Sequence, residues 1–117
     1  MKLSANHRLA TYGTLSPGEV NADQLAGLPG VWRNGFVRGN LLEAGWGAEH
    51  DCPGCLLTPE GEKIPVSIFE SQELPKHWNR LDQFEGAEYR RVITSAETAD
   101  GSVEVSMYEL NRDMFGS

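Results

Sequence analysis

Residues 73–110 read ELPKHWNRLDQFEGAEYRRVITSAETADGSVEVSMYEL, and two hydrophobic periods follow one another in them. Leu74, Trp78 and Leu81 stand at i, i+4 and i+7, which is one stripe of a helix, so the spacing predicts a helix over 73–84. His77 then falls on the side facing solvent. Gly86 stands where a glycine commonly ends a helix. Residues 89–97 and 103–110 read as two strands, with a hairpin turn near Ala99-Asp100-Gly101.

Working back towards the N-terminus, residues 64–69 and 55–58 read as two more strands joined by a turn at Pro59-Glu60-Gly61. Residues 35–44, with Phe36, Val37, Leu41 and Leu42, form a fifth, broken by Gly45-Trp46-Gly47. A first strand at 7–11 leaves through the tight loop Tyr12-Gly13-Thr14-Leu15. Ser16-Pro17-Gly18-Glu19 then reads as a helix start, with Ser as cap, Pro at the first helical position and Glu completing a capping box. Val20, Leu25 and Leu28 give that helix an apolar face, and Pro29-Gly30 stops it. The expectation is an α+β chain of about six short strands and two helices. Strands this short around one core suggest a small twisted, barrel-like sheet with helices packed outside it. No repeat or linker divides residues 1–117, which are expected to form a single domain.

The 117 residues carry 10 Lys+Arg against 17 Asp+Glu, a net charge of −7. Nucleic-acid affinity rests on cationic side chains releasing counterions, and the longest basic cluster is the pair Arg90-Arg91. Binding to DNA, RNA or an anionic membrane is not expected. No apolar run approaches the roughly 20 residues that span a bilayer. Residues 1–10 are mixed and polar, unlike a secretory signal, so a cytoplasmic location is expected.

His50-Asp51-Cys52-Pro53-Gly54-Cys55 contains a C-x-x-C pair. Four-ligand zinc sites usually use two such pairs, and redox pairs sit at a helix N-terminus, whereas this pair runs into a strand. Structural or incidental cysteines are expected, with no metal and no cofactor. His7, His50 and His77 lack metal-ligand spacing and read as solvated or core-edge residues. Neither a G-x-S-x-G elbow nor a phosphate-binding glycine motif is present.

Glu85 and Glu88 are open to two readings. Both can be solvated carboxylates after a helix end. Glu85, however, falls at the predicted helix C-terminus, where free carbonyls and the macrodipole are negative. If it is also partly buried beside Phe84, desolvation raises its pKa, and a raised carboxyl pKa is what a general base working near neutrality needs. The Tyr12–Leu15 loop likewise reads either as a plain turn or as a set of backbone N–H groups beside a helix N-terminus that favours negative charge.

Together these segments resemble a known family. Tyr12-Gly13-Thr14-Leu15 is followed by Pro17-Gly18 and Asn21, then by Pro53-Gly54 leading into a strand. Leu81-Asp82-x-Phe84-Glu85-Gly86-x-x-Tyr89-x-Arg91 comes last. This order resembles the gamma-glutamylcyclotransferase-like family over about residues 9–110. Gly45-Trp46-Gly47-Ala48 and Ser71-x-Glu73-Leu74-Pro75-x-x-Trp78-x-x-Leu81-Asp82 are similar to a bacterial branch of small stand-alone members. The resemblance implies a small mixed, mostly antiparallel β-barrel flanked by short α-helices. It implies a pocket between the Tyr12–Leu15 loop and Glu85, with Glu85 as catalytic acid/base. It assigns Tyr12, Gly13, Thr14 and Leu15 to the substrate's α-amino-acid end and puts Tyr89 near the pocket. Cys52 departs from the Tyr that many members carry before Pro-Gly, and Ser67 from a Gly after Val. Both departures bear on the pocket wall and therefore on the substrate.

The implied chemistry is economical. A γ-glutamyl group carries its own nucleophile, the α-amine, and attack on the γ-carbonyl closes the five-membered ring of 5-oxoproline and expels an amine. No metal and no covalent intermediate are needed. Orientation of amine and carbonyl can supply up to roughly 7–11 kcal/mol. One carboxyl group with a pKa near neutrality can take a proton from the ammonium and deliver one to the leaving nitrogen. Tyr89 either orients the carboxylate or substrate, or packs in the core. The expected partner is thus a small γ-glutamyl molecule. A non-catalytic amino-acid-binding or regulatory module on the same fold, or a different acyl chemistry in the same pocket, are the alternatives. Oligomeric state stays open.

Overall fold

The computed structural model describes residues 3–12, 25, 27–42, 54–86 and 89–110. In chain order its elements are β1 (Arg8–Thr11), β2 (Val31–Leu42), β3 (Gly54–Leu57), β4 (Glu62–Glu70), α1 (Trp78–Glu85), β5 (Tyr89–Thr98) and β6 (Gly101–Leu110). Short 3-10 turns at Ala5–His7 and Leu74–Lys76 precede β1 and α1. The strand order is β3-β2-β4-β1-β6-β5, and β2 also pairs with β5. That last pairing closes five strands into a barrel, with β3 left as an extra strand on β2. All ladders are antiparallel except β1 with β6, where Leu9 and Ala10 pair with Ser106 and Met107.

Alternation along the strands builds two apolar layers. Ala10, Val37, Ile64, Val66, Ile68, Ala96, Val105 and Met107 fill the barrel from all five of its strands. Their neighbours Leu9, Phe69 and Tyr108 point outward and pack with Leu25, Leu74, Trp78 and Leu81. The wall made by β1, β4 and β6 is therefore apolar on both faces, and the helical segment covers its outer side. This explains why β6 is buried continuously from Val105 to Leu110: one face meets the interior and the other lies under the outer layer.

The predicted 73–84 helix is broken in two. Pro75 sits in its first turn, and the bonds there are of the i to i+3 kind: Lys76 N–H to Glu73 C=O and His77 N–H to Leu74 C=O. Proline has no N–H to give, and the tighter turn accommodates it. The α-helix begins only at Trp78, whose indole Nε1–H donates to Asn6 C=O at 3.0 Å and ties the helix start to the turn before β1. The apolar stripe itself is as predicted, with Leu74 and Leu81 fully buried and Trp78 nearly so. Gly86 ends α1 at φ 85°, its N–H bonded to Asp82 C=O. Strand β2 also differs from expectation and starts at Val31 rather than Gly35. Its first residues pair with Glu70 to Ser67 of β4 yet stay exposed, so backbone bonding rather than alternating burial holds them.

The predicted helix after Ser16 falls largely outside the described residues. Leu25, one of its apolar positions, is helical and buried. The Gly45-Trp46-Gly47 break lies outside them too. Among the described residues, no helix is long and apolar enough to cross a membrane.

Barrel closure rests on a close approach. Gly35 pairs with Thr98 and Phe36 with Glu97. A Cβ on Gly35 would lie 2.6 Å from the Glu97 carbonyl oxygen and 3.2 Å from Ile68 Cδ1. Backbone cannot yield as a side-chain tip can. Gly35→Ala is expected to destabilise the protein by about 1–3 kcal/mol, as overpacking does. Urea unfolding of the two proteins checks this, and equal midpoints would mean that β5 does not approach β2 closely at Gly35.

Candidate active site

Glu85 is the last residue of α1, so the helix delivers its carboxylate to the rim of the outer layer. It is half-buried, and burial raises its pKa from 4.5 to about 7. Phe84, its neighbour in sequence, is 39% exposed. The groups that sense the Glu85 charge are Tyr12, at the end of β1, and Tyr108 on β6. The carboxylate is thus near enough to both phenols for its charge to be felt, and the free carbonyls of the helix end disfavour that charge further.

Tyr12 is held by its hydroxyl. It donates to Tyr108 C=O at 2.8 Å and accepts the Cys55 N–H at 3.2 Å, so one phenol joins β1, β3 and β6. Burial, and secondarily the Cys55 thiol, push its pKa well above the usual phenol range. The single hydroxyl proton is already committed, which leaves ring and backbone as the parts of Tyr12 that a ligand can meet. Tyr89 opens β5 half-buried, packs against the outer apolar layer and lies close enough to Tyr12 to influence its ionisation. Its backbone N–H bonds Gly86 C=O at 3.3 Å, linking helix end to strand start.

A second layer braces these groups. The Tyr108 hydroxyl donates to Asp82 Oδ1 at 2.6 Å. Arg91 on β5 grips the same carboxylate with Nε at 3.0 Å and Nη2 at 3.2 Å, while its guanidinium lies 4.4 Å from the centre of the Trp78 ring. Burial first, and then the Asp82 hydrogen bond, push the Tyr108 pKa up. On β6, Glu109 is buried, accepts the Leu57 N–H at 3.1 Å and takes Arg90 at 3.0 Å, pinning β3 to β6.

Of the residues expected at the site, Glu85 and Tyr89 each lie near enough to Tyr12 to influence its ionisation; Gly13, Thr14 and Leu15 lie outside the described residues. So do Cys52, His50 and Glu88. Cys55 is a free thiol inside the barrel, and burial raises its pKa to about 11, with Glu109 adding to the rise. It is a protonated core residue there, not a nucleophile. Ser67 pairs in β4, its carbonyl accepting the Thr11 hydroxyl at 2.9 Å. Among the described residues no group of three His, Cys, Asp or Glu side chains is placed to hold a metal. His7 Nδ1 accepts the Ser4 N–H, and His77 lies 3.3 Å from Arg80 Nη2. Sequence reasoning gave no role to Asp82 or Tyr108. The Asp82-x-x-Glu85 spacing puts both carboxylates on neighbouring helix positions, a signal that was there to use. Nothing in the pattern of β6 singles out Tyr108.

A closed mixed barrel, capped on its outer wall by a helix that ends in a desolvated carboxylate, defines a class of small α+β proteins. Within that class the chain belongs to the gamma-glutamyl cyclotransferase, AIG2-like family, whose model matches residues 9–115. Solved structures agree. An AIG2-like protein from Mus musculus is 25% identical, with a TM-score of 0.70 over 88% of this chain and 76% of its own. YkqA from Bacillus subtilis is 29% identical with a TM-score of 0.70; the match covers 90% of this chain but only 36% of YkqA. A structure described as a gamma-glutamyl cyclotransferase shares the fold, with a TM-score of 0.61 at 12% identity over 90% of this chain and 66% of that one. None of the curated proteins compared with the chain matches it significantly.

Proposed function

We propose that the protein is an enzyme of the gamma-glutamyl cyclotransferase type, which converts a γ-glutamyl amide into 5-oxoproline and a free amine. One observation carries this reading: a half-buried carboxyl group at the end of α1, near Tyr12, with a pKa lifted to about 7 by burial. Membership of the family supports it. Ionised Glu85 takes a proton from the substrate's α-ammonium. The freed lone pair attacks the γ-carbonyl carbon, and the lactam C–N bond forms. As the bond to the leaving nitrogen breaks, Glu85 returns a proton to that nitrogen, and the second proton of the ring nitrogen passes through the regenerated carboxylate to the released amine, which departs as an ammonium and leaves the neutral lactam. A group poised near neutrality serves both steps, because it neither holds nor refuses the proton strongly. The backbone of Tyr12 and of Gly13, Thr14 and Leu15, which follow it in the chain, is assigned to the α-amino-acid end of the substrate, and Tyr89 to the wall beside it.

Incubating the protein with a panel of γ-glutamyl amides, differing in the amine released, tests this directly. Equal amounts of 5-oxoproline and amine are expected from at least one member. Amine without 5-oxoproline would point to another acyl chemistry, and saturable binding without product to a binding module. The pH profile adds a second check. Because the ionised form of Glu85 starts the reaction, kcat/KM should rise about tenfold per pH unit below 7 and level off above it. An acid limb near 4.5 would remove Glu85, as placed here, from the proton-carrying role.

A further inference from the structure

We propose that Asp82 is a positioning residue for Glu85: bound at once to Arg91 and Tyr108, it clamps the last turn of α1 against the barrel and keeps the Glu85 carboxyl out of water. The inference rests on the reading of Glu85 as proton carrier, and it adds the part of the molecule that maintains it.

Helix α1 has eight residues, too short to hold its own last turn by backbone bonding alone. Glu85 sits where that turn is least favourable for an anion, with the carbonyl ends of the helix behind it and little water around it. Left to itself, the turn would relieve both costs by fraying and letting the carboxylate swing outward. Asp82 lies three residues earlier, on the same face as Glu85. It receives two bonds from Arg91 on β5 and one from Tyr108 on β6, and its own carbonyl accepts the Gly86 N–H that closes the helix.

An exposed ion pair is worth little by itself, and the Asp82 side chain is 40% exposed. Here, however, the pair is two-pronged, the Arg91 guanidinium is seated on the buried Trp78 ring, and the third donor is the phenol of Tyr108, itself 5% exposed. Each anchor belongs to a strand of the closed barrel, so the clamp is fixed at its far ends.

The clamp also explains an electrostatic detail. Two carboxylates one helical turn apart ordinarily repel, yet burial alone accounts for the shift at Glu85. Arg91 neutralises Asp82 in place. Among the described residues, Tyr12 and Tyr108 feel the Glu85 charge, Tyr89 lies near Tyr12, and Asp82 stands one turn before Glu85 with Arg91 bound to it. Tyr12 and Tyr108, their pKa values raised by burial, are neutral near pH 7, while Arg91 and Asp82 offset each other. Position, rather than a neighbouring charge, sets how readily Glu85 holds its proton.

The test is a carbon-13 NMR titration of the Glu85 side-chain carboxyl, assigned by its loss in Glu85→Gln, in the wild type, Asp82→Asn and Tyr108→Phe. In Asp82→Asn the midpoint should fall by at least about one unit, a roughly tenfold change in ionisation at fixed pH. The acid limb of the pH–rate profile should move with it. Tyr108→Phe removes one bond of three and should shift the midpoint the same way by less, which keeps the test open if Asp82→Asn does not fold. Because Asp82→Asn also uncovers the Arg91 charge, which lowers the midpoint by itself, the charge-neutral Tyr108→Phe decides between the roles: a merely structural one would lower its melting temperature and leave its midpoint where it was. An unmoved midpoint in a folded variant, or a wild-type midpoint already near 4.5, overturns the proposal. If the wild type titrates near 7 and the variants shift, but no γ-glutamyl amide yields 5-oxoproline, the functional reading fails and the positioning role stands.

Discussion

Glu85→Gln should lower 5-oxoproline release by roughly two to four orders of magnitude, the usual worth of a positioned acid–base group. The amide has almost the shape of the carboxyl but can neither accept the ammonium proton nor return one to the leaving nitrogen. The same substitution should not weaken the fold. The folded state holds the Glu85 proton more tightly than the unfolded chain, since its pKa is about 7 against an ordinary 4.5. Stability linked to this group is therefore fully present below pH 4.5, declines as pH rises, and is lost above about 7. At pH 8 the wild type bears the cost of an ionised, poorly hydrated carboxylate and the glutamine variant does not. Calorimetry should find the variant melting at the same or a higher temperature at pH 8, with the advantage gone at pH 4. Activity and stability then move in opposite directions, as at other strained sites. Undiminished turnover would remove Glu85 from the chemistry. Lost turnover together with earlier melting at pH 8 would assign the loss to folding instead.

How far the sequence foretold this molecule depends on the length over which each interaction acts. The Leu74, Trp78 and Leu81 stripe, the Gly86 stop and the hairpin between β5 and β6 are local, and the residues themselves betray them. Glu85 could be singled out for the same reason, because a carboxylate at a helix C-terminus is misplaced whatever surrounds it. Barrel closure was not legible in that way. It depends on two residue pairs between β2 and β5 some 60 positions apart, at a glycine whose close approach shows only when the strands are side by side. The distant residues near Glu85 were hidden for the same reason. Phe84 is adjacent in sequence and exposed, whereas Tyr12 and Tyr108 come near enough from the barrel strands to feel the Glu85 charge. The clamp on Asp82 joins α1, β5 and β6, and no periodicity in any one of them announces it. The split of the predicted helix was readable in principle from Pro75, whose place in the first turn favours a 3-10 start.

Leu81→Ala should have the largest effect on stability, about 2–5 kcal/mol. Leu81 is fully buried, in the layer where α1 meets Leu9, Phe69 and Tyr108. Truncation there leaves a cavity bounded on one side by strands locked in a closed barrel, which cannot move in to fill it. The helix is the softer partner, but it is tied at its start by the Trp78 indole and near its end by Asp82, so it cannot settle inward freely either. Incomplete collapse puts the expected cost in the upper part of that range. Ile93, 61% exposed on β5, provides the contrast: Ile93→Ala should change stability by less than about 0.5 kcal/mol. Urea unfolding of both variants, with unchanged slopes, measures the difference. Leu81 also immediately precedes Asp82, so loosening the helix should let water reach Glu85. The acid limb of the Leu81→Ala profile should therefore move below pH 7 even at temperatures where the variant remains folded. A Leu81→Ala protein as stable as Ile93→Ala would mean that α1 does not press on the barrel wall, and the desolvation of Glu85 would then have no support beneath it.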